Sequence, residues 1–309
     1  MKTLINLIFL FFSFNSISDE INIYVVSDMN GRYGSTSYSK EIDNSISYII
    51  ENKPDFVISG GDHVAGQKKG LNYQSMWDSF HEHVSTPLKN NGIPFFPTPG
   101  NHDASKYSAF KLEREIYQRN FEFEDNQKVN AIDVENFPLN YAYSFKGALF
   151  ISLDATGLTL GELQVEWLKT LLEKNKNKYS PIIMYGHLPI LPFAQNRESD
   201  YLRDKGLLEL VQKEGVDLWI SGHHHAYFPG RKNNLKLASL GCLGGGPRKL
   251  IGDQNTSKKS ILHLKILNKK IVFLEALDAK NYFKKIKRET LPRSIGKNSK
   301  KIIRDDLNL

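Results

Sequence analysis

Apolar runs recur along this chain, and each of the shorter ones stops at a polar block. Residues 21–27 (INIYVVS) are apolar and β-branched without clean alternation, which predicts a strand buried on both faces and ending at Asp28. A Gly-, Ser- and Tyr-rich loop follows. Within residues 39–52, Ile42, Ile46, Ile49 and Ile50 fall at helical spacing, and Pro54 then leads into a second apolar strand over 55–59. That is a β-α-β unit. A helical stretch over 73–88 precedes a third apolar run at 93–97, which stops at Gly100-Asn101-His102-Asp103. Farther on, 140–154 predicts a hairpin through Lys146-Gly147, 163–174 an amphipathic helix, and 181–185 a strand ending at Gly186-His187. A helix over 207–213 and a strand over 216–221, again ending in Gly-His, repeat the order. Residues 235–240, 259–266 and 270–277 predict antiparallel strands, the last two joined at Asn268-Lys269. There is no internal repeat. Strands alternating with helices predict α/β layering, in which ligands collect beyond the carboxyl ends of the strands.

Five polar blocks occupy those ends: SDMNG (27–31), GGDHVAG (60–66), PGNHD (99–103), YGHLP (185–189) and SGHHHAY (221–227). One Asp or His after a strand is an ordinary cap or turn residue, but five such blocks in the same structural position point to a binuclear metal site. Two metal ions roughly 3.5–4 Å apart need a bridging carboxylate and several neutral nitrogen or oxygen ligands. Asp62 suits the bridge. Imidazole suits zinc or iron, and carboxylate and amide oxygens also tolerate manganese, so the ligand set admits Mn, Zn or Fe. His223 and His225, two residues apart, face one side of an extended segment, with His224 turned away.

Composition narrows the field. With 309 residues, 40% hydrophobic and 24% charged, the chain has ample core for one large domain or two small ones. Its only cysteine, Cys242, excludes an intrachain disulfide and every Cys-based zinc motif. Lys2, the apolar stretch 4–14 and Ser16-Ile17-Ser18 fit a secretory signal peptide over 1–18, cleaved before Asp19, which implies a secreted or periplasmic protein. The net charge of +7 is concentrated in residues 280–304, where ten bases meet one acid, and the rest of the chain is close to neutral. Residues 280–309 are therefore expected as a solvated basic tail on a domain over 19–279, with an anionic surface as its possible partner. No nucleic-acid motif accompanies this charge.

The blocks resemble the pattern of the calcineurin-like metallophosphoesterases, D-x-H, G-D, G-N-H-D/E, G-H and G-H-x-H in that order, and the resemblance runs over residues 21–277. Bacterial and purple-acid-phosphatase-like members are the most similar in the intervening segments. The resemblance implies a four-layer αββα sandwich. It implies one metal held by Asp28, Asp62 and His225, and the other by Asp62, Asn101, His187 and His223. It also implies a hydroxide between the metals that attacks phosphorus in line, with His102 contacting the phosphate or leaving-group oxygen. The activity implied is hydrolysis of phosphate esters, monoesters first. The alternatives are a diesterase for cyclic nucleotides, nucleic acid or phospholipid, and a non-catalytic member that binds phosphate or a partner.

Two positions depart from the pattern. Asn30 stands where many members carry His, so the first metal gains a weaker amide ligand or loses one to water. Ala65 stands where purple acid phosphatases place a compensating Tyr and phosphoprotein phosphatases an Asp. His63 is a conceivable substitute ligand, although a strand-end neighbour points the other way. Arg32, in the loop after the first block, is expected at the substrate rim, and Gly245, in Gly244-Gly245-Gly246, is expected to bring backbone N–H groups to a phosphate. His81 and His83 do not share a helix face and are expected to be structural or solvent-facing.

Overall fold

The computed structural model describes residues 20–123 and 128–307; the expected signal peptide lies outside them. The strands are β1 (Ile21–Val26), β2 (Phe56–Ser59), β3 (Phe95–Phe96), β4 (Asn130–Asp133), β5 (Tyr141–Phe145), β6 (Ala148–Leu153), β7 (Ile182–Gly186) and β8 (Leu218–Ser221), then β9 (Phe228–Lys232), β10 (Leu235–Ser239), β11 (Ser260–Leu267), β12 (Lys270–Asp278), β13 (Lys284–Lys285), β14 (Ser294–Ile295) and β15 (Ile302–Arg304). They form two mixed sheets. The first runs β13-β12-β11-β1-β2-β3 and the second β14-β15-β9-β10-β8-β7-β6-β5-β4.

The strands are buried on both faces because alternate residues serve different cores. In β1, Ile21, Ile23 and Val25 face the second sheet, while Tyr24 and Val26 pack under the helix Lys40–Glu51 together with Ile42, Ile46 and Ile49. In β7, Ile183 and Tyr185 join the core between the sheets, while Ile182 and Met184 meet Leu168, Leu171 and Leu172 of the helix Glu162–Asn175. Three cores separate four layers, the αββα sandwich implied by the resemblance. Strands β1, β2 and β3 are mutually parallel, as are β6, β7, β8 and β10, so their carboxyl ends gather at one edge of the sandwich.

Both expected hairpin turns are present. Lys146-Gly147 and Asn268-Lys269 adopt positive φ, the backbone that two-residue hairpins require. Three expectations need correction. Residues 235–240 do not continue the antiparallel pair 259–277: β10 lies in the other sheet, parallel to β8 and antiparallel to β9. The run 93–97 yields only a two-residue strand. Residues 280–304 are no solvated tail, because β13 extends the first sheet while β14 and β15 extend the second, burying Ile286, Ile295 and Ile302. Two of the segment's charges are used internally. Arg288 binds Asp305 through both carboxylate oxygens at 2.8 and 2.9 Å and also pairs with Glu275; Arg304 binds Asp306 and the carbonyls of Arg288 and Leu291. Among the described residues no helix is long and apolar enough to cross a membrane.

Candidate metal centre

The five polar blocks meet at the gathered strand ends. Four of the side chains expected as ligands sit on left-handed backbone: Asp28 at φ 51°, Asp62 at 56°, His223 at 64° and His225 at 50°. Such conformations are uncommon outside glycine and are held only where surrounding contacts over-determine them. Those contacts are close here. A Cβ on Gly100 would stand 2.2 Å from Asp62 Oδ1, so only glycine admits the PGNHD block beside the carboxylate.

One cluster centres on His187. Its Nε2 lies 3.0 Å from Asn101 Oδ1, 3.2 Å from His223 Nδ1 and 3.3 Å from Asp62 Oδ2. Its Nδ1–H donates to Gly60 O at 2.9 Å, which presents Nε2 inward. Donors about 2.0–2.2 Å from one ion lie roughly 3.0–3.6 Å from each other, so these spacings fit a shared metal. Next to it, His225 Nε2 lies 3.0 Å from Asp28 Oδ1, and ligand atoms of Asp28, Asp62 and His225 all fall within 4.8 Å of one another. The donor set of carboxylate, imidazole and amide suits first-row divalent ions.

Electrostatics favour positive charge at this place. Burial pulls His187 and His225 down, but Asp62 and Asp28 overcome it and leave them at about 9 and about 10. Burial pushes both aspartates up, and the imidazoles reverse that, holding both carboxyls below their ordinary range. His223 behaves differently. Burial brings it down to about 4, and its Nε2 is 3.8 Å from Asp200 Oδ2, an ion-pair distance beyond hydrogen-bond reach.

The sequence matches the model of the calcineurin-like phosphoesterases over residues 21–227. The chain belongs to that family. No curated protein matches the sequence significantly. Among solved structures, GAP50, "the anchor in the inner membrane complex of Plasmodium", superposes with a TM-score of 0.61 at 18% identity, covering 88% of this chain and 91% of that one. A dimetal phosphatase from Danio rerio gives 0.54 at 14% identity over 80% of this chain and 95% of its own. PhoD gives 0.56 at 10% identity over 87% and 72%. At these identities the likeness concerns the fold.

Of the residues of this phosphoesterase singled out beside the ligand blocks, Gly245 departs from its expected role. His63 turns away from the metals into a cage of Trp77, Phe80, Phe95, Tyr117 and Phe121, where its Nδ1 meets Asp103 Oδ2 at 2.7 Å; it is no substitute ligand. Asn30 is buried, two residues after Asp28, and its side chain makes no hydrogen bond among the described residues. Gly245 does not offer its N–H to a phosphate. The amides of Leu243, Gly244 and Gly245 donate instead to the carbonyls of Ser27, Asp28 and Asn30, clamping the first ligand loop. Arg32 is exposed on that loop. His81 bonds Ser85 and Asn120, and His83 pairs with Asp43, so both are structural.

Gly66, Gln67 and Asp103 matter without having stood out. His102 Nδ1–H donates to Gly66 O at 2.9 Å, a backbone carbonyl in the role that the residue-65 side chain cannot fill, and its backbone N–H donates to Asp62 Oδ1 at 2.9 Å. Gln67 Oε1 accepts from Asn101 Nδ2 at 2.9 Å, which turns Asn101 Oδ1 toward His187. Asp103, within a ligand block, ties two loops by accepting from the backbone amides of His63, Val64 and Gly100. The residues 193–200 are pinned by His224, whose Nδ1 accepts from the amides of Phe193 and Ala194 at 3.0 and 3.2 Å while Nε2–H donates to Asp200 O at 2.8 Å. The side-chain partners of backbone acceptors carry no motif, which is why sequence reasoning passed over them.

Proposed function

We propose that this protein is an exported, metal-dependent phosphoesterase that prefers phosphate monoesters. The observation that carries the reading is the convergence of Asp62, Asn101 and His223 on His187 Nε2, with Asp28 and His225 adjoining Asp62. The same fold is found in an anchor and in phosphatases, so the site rather than the fold decides between them. Asp62, Asn101, His187 and His223 would hold one ion; Asp28, Asp62 and His225 would hold the other, with Asn30 at its edge. Such a pair, when bound, supplies Lewis-acid charge and lowers the pKa of water.

The chain's own groups then have definite tasks. His102, with Nδ1–H committed to Gly66 O, turns Nε2 to the substrate and in its protonated form gives that proton to the leaving alcohol oxygen. Hydrolysis forms one P–O bond to the water oxygen and breaks the ester P–O bond, releasing alcohol and phosphate. Tyr33 lies 5.4 Å from the His102 ring, centroid to centroid, and is half exposed, so it borders the leaving-group side. The preference for monoesters rests on charge: a dianion gains more than a diester monoanion from the positive charge that a bound pair of ions would supply.

The test is metal analysis of the purified protein together with hydrolysis of p-nitrophenyl phosphate, its bis-ester and p-nitrophenyl phosphocholine, with Mn, Zn and Fe supplied. Faster turnover of the monoester with two bound ions supports the proposal; faster turnover of a diester overturns the preference. No turnover of any ester despite two bound ions overturns the enzyme reading. Export rests on residues 1–18 and predicts a mature amino terminus at Asp19, checked by terminal sequencing of protein from medium or periplasm. An anionic surface as partner of residues 280–304 would have to use the exposed Lys284, Lys287, Arg293 and Lys297.

A further inference from the structure

A cleft of about 590 Å³ opens beside His223, lined by Gln195, Asn196, Arg197, Arg248, Lys249 and Thr256. It is continuous with the metal centre through the backbone. Arg248 N–H donates to His225 O at 3.1 Å, and Arg248 Nη1 donates to His223 O at 2.7 Å, so the guanidinium is built onto the G-H-H-H ligand loop. Arg197 reaches the same place from the segment that His224 pins, and its Nη1 pairs with Asp200 Oδ2 at 2.7 Å. Lys249 has no acidic partner among the described residues.

The charges do not balance. Of the three cations Asp200 pairs with Arg197 alone, no carboxylate among the described residues pairs with Arg248 or Lys249, and a single hydrogen bond to His223 O engages the side chain of Arg248, leaving most of its five donors open. Two guanidinium groups held together in a concave site are an arrangement that an anion stabilises, because a phosphate accepts from both in forked geometry. Yet this cleft lies alongside the metal cluster. None of the expected ligand side chains lines the cleft, so an anion held there is a different group from the one attacked at the ions.

We propose that Arg197, Arg248 and Lys249 bind a second phosphate group of the substrate, which makes the substrate a diphosphate monoester: water forms the new P–O bond at the terminal phosphorus beside the ligand cluster, the anhydride P–O bond breaks, and the inner phosphate, held in the cleft, leaves as a phosphate monoester while the terminal group leaves as inorganic phosphate. The catalytic half of this inference rests on the phosphoesterase reading; the binding half does not.

The experiment has two arms. In the first, adenosine 5′-diphosphate and adenosine 5′-monophosphate, which share a nucleoside and differ by one phosphate, are compared as substrates of the metal-loaded wild-type protein and of Arg197→Ala, Lys249→Ala and the charge-preserving Arg197→Lys. Alanine substitution should lower the diphosphate-to-monophosphate ratio of kcat/KM at least tenfold, mostly through KM, with Arg197→Lys in between; an unchanged ratio overturns the proposal. In the second, calorimetry on chelator-treated protein compares inorganic pyrophosphate with inorganic phosphate. Pyrophosphate should bind at least tenfold more tightly to the wild-type protein and lose that margin in the Arg197→Ala, Lys249→Ala double variant, with melting curves confirming that the variant is folded. Equal binding of the two anions to the wild-type protein overturns the second-phosphate site. If neither nucleotide turns over while the pyrophosphate margin behaves as expected, the anion site stands and the phosphoesterase reading falls.

Discussion

His224 offers the sharpest test of how the ligand loop is held. The ring is fully buried and neutral, with Nδ1 accepting two backbone N–H bonds and Nε2–H donating one. His224→Ala deletes three hydrogen bonds at once and leaves two amides and a carbonyl without partners in a place that water reaches poorly. At about 1 kcal/mol per bond, the minimum cost is about 3 kcal/mol, and each unsatisfied buried group adds up to about 2 kcal/mol more. For a domain of this size 1 kcal/mol moves Tm by about 2 °C, so the chelator-treated variant should melt at least ~6 °C below the wild-type protein. His224→Asn, whose amide superposes on the Nδ1 edge of the ring, keeps the contacts to Phe193 and Ala194 and should recover part of the loss.

Acid adds an independent check. Burial, reinforced by His223, holds His224 at about 3, against about 6.5 in an unfolded chain. Above pH 6.5 neither state carries the proton and this group adds no pH dependence. Below it the unfolded chain takes up a proton that the fold rejects, so stability falls by up to about 1.4 kcal/mol per pH unit until the folded pKa is reached. Calorimetric melting of the chelated proteins between pH 5 and 7 should therefore show a steeper decline for wild type than for His224→Asn, which has nothing to protonate. Parallel curves, or an alanine variant that melts within 1 °C of wild type, would refute the assignment of these three bonds.

Three other outcomes follow from the site and the sheets. Asp62→Asn and His102→Ala should both depress turnover, the latter by about 10²–10⁴-fold, but only Asp62→Asn should release metal, as read by elemental analysis; two ions retained by Asp62→Asn would exclude a bridge. Asn30→His should raise metal affinity at the site built on Asp28 and His225, measured by competition with a chelator, and unchanged affinity would remove Asn30 from the ligand set. Truncation after Lys280 exposes the pockets of Ile286, Ile295 and Ile302, worth about 1.5–3 kcal/mol each against a whole-domain stability of about 5–15 kcal/mol; the shortened chain should be largely unfolded by circular dichroism, and a cooperative melt near the wild-type Tm would show that β13–β15 are dispensable.

What could be read from the sequence follows from where side chains carry the signal. β1 was legible because Ile23 and Tyr24 serve different cores, which forces a continuous apolar run. β13, β14 and β15 were not, because their two or three residues are joined to the sheets through backbone bonds and flanked by charge. Lys284 and Arg304 look solvated in a linear reading, yet Arg304 closes on Asp306 and on the carbonyls of Arg288 and Leu291. Charge density alone does not separate a free basic segment from one whose acids lie elsewhere in the chain; Glu275 is such an acid, supplied to Arg288 and Lys285 by the neighbouring strand β12.

The metal blocks were legible for the opposite reason: ligation needs particular side chains, and strand ends impose their order. What positions those ligands is mostly main chain. Gly60 O fixes the tautomer of His187, Gly66 O fixes His102, and Gly246 O, 3.1 Å from His225 Nδ1, turns the opposite nitrogen toward Asp28. Such carbonyls exist at every residue, so only their placement is informative, and placement is a property of the fold. The same reasoning explains why the anion cleft escaped notice while the metal site did not. Arg197 and Arg248 lie in segments with no shared motif and are brought together because His224, a residue expected merely to point away, anchors one segment to the ligand loop that carries the other. A residue excluded from the metal by its direction thereby determines what lies next to the metal, and loosening it should disturb the diphosphate-to-monophosphate ratio before it disturbs metal binding.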